Sequence, residues 1–189
     1  EIPHSLDAVL NGHFREARRS LLHAQVVHED QVTGEADALN DVVVHKREVA
    51  RMIEVDTFLD GRFLNAYRAD GLIISTPTGS TAYALAGGGP IIHPALEAVV
   101  PICPHTLSHR PIVVKADSII EVVLNAANTT QTQVTCDGQI SLALEPGDRI
   151  VIRKKDRKVR LIHPINHDYF KLLRAKLSWG LSPEASPFT

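Results

Sequence analysis

Residues 70–94 read DGLIISTPTGSTAYALAGGGPIIHP. The apolar run 72–74 has the length and branching of a buried strand. It delivers five small hydroxyl side chains, Ser75, Thr76, Thr78, Ser80 and Thr81, to a turn that contains Pro77 and Gly79. A short helix-compatible segment with Tyr83 follows, and Gly87-Gly88-Gly89 ends it. A strand end that feeds a helix start exposes backbone N–H groups, which suit an anionic ligand. Small residues let a ligand approach the backbone closely, and Tyr83 offers a ring to stack on and a hydroxyl to donate. The residue chemistry therefore points to a nucleotide or phosphate site. The competing reading is a capped helix behind a strand, but one cap needs fewer hydroxyls and glycines than this.

Upstream, the runs 52–59 and 62–68 alternate on either side of Asp60-Gly61, a pairing that predicts a tight hairpin. Residues 38–45 read as an apolar strand that contains Asn40-Asp41. Burying an amide and a carboxylate costs ~1–3 kcal/mol or more unless both find partners. A ribose with vicinal hydroxyls would satisfy both groups, and so would a bulge or the neighbouring backbone. Residues 18–27 read as a strand, and the polar stretch 29–37 with Gly34 reads as a loop. Ser5-Leu6-Asp7 is placed to cap a short helix ending near Asn11-Gly12.

Downstream, strands are predicted at 112–114, 118–124, 133–136, 140–144, 149–153 and 159–162. Turn signals at 115–117, 125–128, 137–138, 146–147 and 155–156 separate them. Many short strands at regular spacing predict a mainly β fold, a sandwich or barrel-like domain with a few short helices. The period changes at 168–179, where Tyr169, Leu172, Leu173, Lys176 and Leu177 follow helical spacing. Asp168 is placed to cap this helix and Gly180 to end it.

The composition is that of an ordinary globular chain: 189 residues, 44% hydrophobic and 22% charged. A net charge of −2 argues against a general nucleic-acid binder. No apolar run approaches a membrane span and no signal peptide precedes Glu1, so a cytoplasmic location is expected. Cys103 and Cys136 make neither a disulfide framework nor a paired metal motif. The chain opens at Glu1 without a methionine, as expected of a fragment or a processed protein.

Other clusters carry less. Arg68 and Asp70 close the second hairpin strand and read as an exposed ion pair or as ligand contacts. His105 and His109 are four apart, but prolines at 104 and 111 argue against the helix a zinc site would want. Residues 136–139, Cys-Asp-Gly-Gln, read as a hairpin turn. The basic run 153–158 reads as a solvated hairpin tip, with a polyphosphate-attracting rim as the sharper alternative. No Gly-x-Ser-x-Gly elbow, Walker loop, Rossmann glycine fingerprint or His-Glu-x-x-His is present.

Taken in order, Ala38-Leu39-Asn40-Asp41, the segment 70–83, Gly88-Gly89-Pro90, Pro104-His105-Thr106-Leu107, Cys136-Asp137-Gly138-Gln139 and the terminal 167–180 resemble the carboxy-terminal part of bacterial NAD kinases. The Thr-Pro-Thr-Gly-Ser-Thr-Ala-Tyr string is the most specific piece, and the resemblance covers nearly the whole chain. It implies a β-sandwich at residues 1–166 that binds NAD. It also implies a carboxy-terminal helix and tail, 167–189, that pack on an amino-terminal α/β domain. The implied assembly is a homodimer or homotetramer without nucleic acid or membrane. The implied reaction transfers a phosphoryl group from ATP or polyphosphate to the adenosine 2′-hydroxyl of NAD, with a divalent metal such as Mg arriving on the donor.

The resemblance also implies site residues. Asn40 and Asp41 hold the adenosine end. Thr81, Ala82 and Tyr83 surround the adenine with Thr78 nearby, and Ala84, Leu85 and Ala86 continue the cofactor-binding segment. Asp70, acting from a neighbouring subunit, accepts from the nicotinamide amide. Arg51, Arg68 and Gln139 match further cofactor contacts, and Asp137 lies near the ribose that is phosphorylated. No metal ligand is implied in these residues.

Three departures qualify the match. The family's Gly-Gly-Asp-Gly motif, source of the catalytic carboxylate, is absent from the sequence. Asp41 stands where many members have Glu, and Ala86 replaces a common Ser. The expectation is therefore the NAD-binding part of a kinase with little turnover by itself. The alternative is a non-catalytic nucleotide-binding or oligomerisation module.

Overall fold

The computed structural model of the chain describes residues 2–47, 51–102 and 110–179. In chain order the elements are α1 (Ile2–Leu10), β1 (Phe14–His28), β2 (Gln31–Ala38), β3 (Asp41–Lys46), β4 (Ile53–Leu59), β5 (Arg62–Ala69) and β6 (Gly71–Ser75). A 3₁₀ turn (Gly79–Thr81) and α2 (Tyr83–Ala86) follow, then β7 (Ala98–Ile102), β8 (Val114–Lys115), β9 (Ile120–Leu124), β10 (Thr132–Cys136), β11 (Ile140–Leu144), β12 (Arg149–Pro164) and α3 (Tyr169–Leu177).

The strands form two six-stranded sheets. One runs β2-β1-β12-β9-β4-β5 and the other β11-β10-β3-β6-β7-β8. A single apolar cluster draws on both, including Leu22 and Val26 of β1, Val42 and Val44 of β3, Leu72 and Ile74 of β6, and Ile150 and Ile152 of β12. This is a β-sandwich, as the sequence predicts. The second sheet is also covered on its other face, where Val43, Ile73, Val100 and Ile102 pack with Ala84 and Ile92. Burial on both faces explains why β6 and β7 are buried at every position, with no alternation.

The Asp60-Gly61 hairpin forms as expected, with both residues in left-handed conformation (φ 50° and 73°). Asp168 caps α3, its carboxylate accepting from the Phe170 and Lys171 amides.

Several expectations need correction. Helix α1 begins at Ile2, so Ser5 lies within its span and not ahead of its first turn. The polar stretch 29–37 is not a loop. Only Glu29 and Asp30 turn, at positive φ, and β2 then runs as the edge strand, with Ala36 and Ala38 inward and polar residues outward. Strand β7 was not expected. Its Pro101 carbonyl accepts from Ile112, so the missing N–H faces the same side, beyond the two-residue β8, where no ladder needs it. The predicted strand at 112–114 shrinks to Val114–Lys115.

The two strands predicted at 149–153 and 159–162 are one 16-residue strand, β12. The basic run is its middle, not a hairpin tip. Lys154 pairs with Glu97 and Asp117, Lys155 with Asp37, and Lys158 with Glu97, so carboxylates from other segments meet its three lysines. Helix α3 is closed by Ser178 in left-handed conformation. Gly180 lies outside the described residues, as do Cys103, His105 and His109.

The chain divides into two compact units. One is Arg18–Val159 and contains the sandwich core. The other joins the two ends, up to Ala17 and from Arg160. In it Leu173 is buried, whereas Phe170, Leu172 and Trp179 remain about half exposed.

Candidate functional site

The sequence places Asn40 inside a strand, but the structure breaks the chain there. Strand β2 ends at Ala38, Leu39 and Asn40 bend, and β3 starts at Asp41. The bend forms because other groups take its backbone polar atoms. The Asp137 carboxylate accepts from the Leu39, Asn40 and Asp41 amides at 2.8, 2.7 and 3.1 Å. On the carbonyl side, Thr76 Oγ1 donates to Leu39 O at 2.6 Å and Thr76 N donates to Asn40 O at 2.9 Å.

The hydroxyl-rich loop is therefore a scaffold more than a row of ligand donors. Ser75, Thr76 and Ser80 are buried. Ser80 Oγ donates to Pro77 O (2.7 Å) and accepts from Ile92 N (2.9 Å), and Ser75 Oγ donates to Thr76 O (3.0 Å). Thr81 Oγ1 turns back to Thr78 O at 3.4 Å. Gly79 lies against the Asn40 backbone. A Cβ there would stand 2.1 Å from Asn40 O, so glycine is required by close approach.

What this scaffold presents is a groove of about 510 Å³. The bend and β3 contribute Asn40, Asp41, Val43, His45 and Lys46. The β5–β6 junction contributes Asp70, the start of α2 gives Ala82 and Tyr83, and the β10 hairpin gives Thr135, Asp137 and Gly138. Tyr83 is 58% exposed, so its ring is available to a planar ligand. Asp41 is only 5% exposed. Burial, and then the neighbouring Asp137 charge, push its carboxyl up to about 6. His45 Nδ1 lies 2.9 Å from Lys46 O and its Nε2 lies 3.2 Å from Gln133 Nε2. Only a proton on Nδ1 fits both contacts, because a carbonyl cannot donate.

An adjacent cavity of about 640 Å³ takes in Arg51, Arg68, Glu54 and the loop 127–130. The Lys46–Asp70 ion pair, at 2.6 Å, belongs to both walls. Arg51 donates to Thr129 Oγ1 at 2.8 Å, and Arg68 stands 3.5 Å from Glu54. Of the residues expected from the sequence, the first groove gathers Asn40, Asp41, Asp70, Ala82, Tyr83 and Asp137, and the second gathers Arg51, Arg68 and Asp70. Thr78, Thr81, Leu85, Ala86 and Gln139 line neither, and Ala84 is fully buried in the smaller apolar cluster.

Sequence reasoning missed Val43, His45, Lys46 and Thr135. The two-residue period from Asp41 would have put Val43 and His45 on the same face of β3. Among the described residues, no group of three or more His, Cys, Asp or Glu side chains is placed to hold a metal ion. Cys136 is buried and its thiol is pushed up to about 11 by burial first, so it is no nucleophile.

A family model described as the ATP-NAD kinase C-terminal domain matches residues 39–164, from the groove-forming bend to the end of β12. The chain belongs to this family. Curated NAD kinases agree. That of Nitrosococcus oceani is 54% identical over 177 residues, covering 93% of this chain and 60% of its own length. That of Chromohalobacter salexigens is 50% identical over 182 residues, covering 95% and 62%. The chain thus spans about three fifths of these relatives. Among solved structures, an NAD kinase from Archaeoglobus fulgidus in complex with ATP superposes with TM-score 0.74 at 28% identity, covering 94% of this chain and 66% of that one. Yeast NADH kinase complexed with NADH gives TM-score 0.87 at 24% identity, covering 98% and 57%, and speaks for the fold alone. No helix among the described residues is long and apolar enough to cross a membrane.

Proposed function

We propose that this NAD kinase family chain is the NAD-binding part of an enzyme that transfers a phosphoryl group from ATP or polyphosphate to the adenosine 2′-hydroxyl of NAD. The observation that carries the reading is the shared groove of Asn40, Asp41, Ala82 and Tyr83, with Asp70 at its border with the second cavity. Tyr83 and Ala82 flank the adenine. Asn40 and Asp41 hold the ribose hydroxyls, for which a desolvated carboxylate is a strong acceptor. Asp70, on the ridge between the cavities, accepts from the nicotinamide amide, in a homodimer or homotetramer from the neighbouring subunit. Arg51 and Arg68 line the second cavity, where they make further contacts to the cofactor.

The donor enters with Mg bound to its phosphates, and phosphoryl transfer then depends on positioning and charge neutralisation. The chain works in the cytoplasm, and the exposed Phe170, Leu172 and Trp179 pack on an amino-terminal α/β domain. A second reading is a non-catalytic nucleotide-binding module.

Calorimetry on the purified chain tests the binding claim. NAD binds, and Asn40→Ala or Tyr83→Ala weakens it about tenfold, the loss of one good hydrogen bond or stacking contact. Failure of NAD to bind, or binding indifferent to both substitutions, refutes the reading. An assay of NADP formation separates the alternatives. The 189-residue chain by itself gives little product, whereas the polypeptide encoded by the whole reading frame turns over.

A further inference from the structure

Asp137 lines the groove, yet its carboxylate is already committed. Oδ2 accepts from Leu39 N, and Oδ1 accepts from both Asn40 N and Asp41 N. Three successive backbone N–H groups converging on one anion form a concave nest, here filled by the protein's own side chain. Its delivery is equally determined. Strand β10 pairs with β3 so that Cys136 faces Val42, and Asp137 N then donates to Asp41 O at 3.0 Å. Asp137 turns there at φ 52°. The bend has no helix or ladder to satisfy its amides, so without this carboxylate three part-buried N–H groups lose their acceptor.

We propose that Asp137 is a positioning residue of the groove: its carboxylate holds the 39–41 backbone in the bend that puts Asn40 and Asp41 beside Tyr83, and it contacts neither ligand nor reacting atoms. This rests on the NAD-binding reading for its functional consequence, though not for its structural one. Both of its oxygens are already taken up by backbone amides, so the carboxylate is occupied as a structural acceptor.

Three measurements on the 189-residue chain test it. In the unaltered protein, NMR couplings across hydrogen bonds connect the Asp137 side-chain carbonyl carbon with the amides of residues 39, 40 and 41. Their absence overturns the proposal whether or not any variant folds. In Asp137→Asn, one acceptor oxygen and a donor NH₂ replace the carboxylate. Amides 39–41 then exchange at least tenfold faster while those of Val44 and Ile74 in the core do not change, and Asp41 titrates lower once the neighbouring charge is gone. NAD affinity falls at least tenfold, and this loss largely disappears when Asp137→Asn is made on top of Asn40→Ala and Asp41→Asn. Weakened binding with unchanged protection at 39–41 assigns Asp137 to direct ligand contact and refutes the positioning role. If the unaltered chain fails to bind NAD, the functional reading falls, while couplings and exchange still decide what Asp137 does.

Discussion

Replacing Gly79 by alanine adds one methyl group at the point where the loop after β6 crosses the Asn40 backbone. The new Cβ would stand 2.1 Å from Asn40 O, 2.5 Å from its carbonyl carbon and 2.7 Å from its Cα. Ordinary contact begins at 3.4 Å, so the segments must part by 1.3 Å (3.4 − 2.1). No flexible side-chain tip is involved, so backbone has to move. Overpacking of this kind costs ~1–3 kcal/mol. The separation also stretches Thr76 N–Asn40 O and Thr76 Oγ1–Leu39 O, now 2.9 and 2.6 Å, beyond bonding range. At ~1 kcal/mol each, the total loss is roughly 3–5 kcal/mol, a large share of a domain's usual stability. Urea denaturation of Gly79→Ala against the parent chain measures it. Gly61→Ala is the control. Gly61 has φ 73° and open space around its Cβ position, so its cost is the ~1 kcal/mol of left-handed backbone. A Gly79→Ala loss below ~1 kcal/mol at unchanged m-value would show that the seam between loop and bend is not close-packed, and the account of the site would fail with it.

Three further outcomes follow from the same contacts. Ser80→Ala orphans Ile92 N and frees two carbonyls, so it destabilises by ~1–3 kcal/mol in urea while NAD affinity changes less than twofold; a loss of affinity greater than the loss of stability would make Ser80 a ligand contact instead. Asp41→Asn acts with pH. The folded carboxyl is raised, so its favourable share is complete below the ordinary carboxylate range and is lost as pH rises through about 6. The shift corresponds to ~3 kcal/mol, which solvent in the open groove reduces to about 1–2 kcal/mol. The variant is therefore more stable than the parent at pH 7.5 and equal to it near pH 3.5; the opposite ordering in urea midpoints contradicts burial as the cause. His28 donates to buried Asp148 at 2.6 Å, a bond that, as the largest cause, raises its pKa above 6.5. Its stabilisation is complete below pH 6.5 and disappears as pH rises through the folded value. His28→Ala accordingly loses more stability at pH 5.5 than at pH 8.5, and equal losses would break the assignment.

The Asp60-Gly61 hairpin and the α3 cap were legible because their signals are local: two residues set the turn, and one carboxylate meets amides two and three positions away. The polar edge strand β2 was not, since its alternation is masked by the absence of large apolar residues. Nor was the length of β12, because its lysines resemble a turn until Glu97, Asp117 and Asp37 arrive from distant segments. In the site, Asn40, Asp41 and Tyr83 could be named from residue type and the family pattern. The role of Ser75, Thr76 and Ser80 could not, because a hydroxyl serves a ligand or a carbonyl equally well until its neighbour is known.

By itself the sequence determined the class of fold, the family and some of the side chains that line the groove, Asn40, Asp41 and Tyr83 among them, all properties of local order along the chain. Only the tertiary structure decided what each group faces. Asp137 and Asn40 are 97 positions apart and meet because β10 pairs with β3. That pairing brings the Asp137 carboxylate onto the 39–41 backbone amides. The reason is physical: a hydrogen bond is fixed by distance and direction in space, and a linear order of residues holds neither.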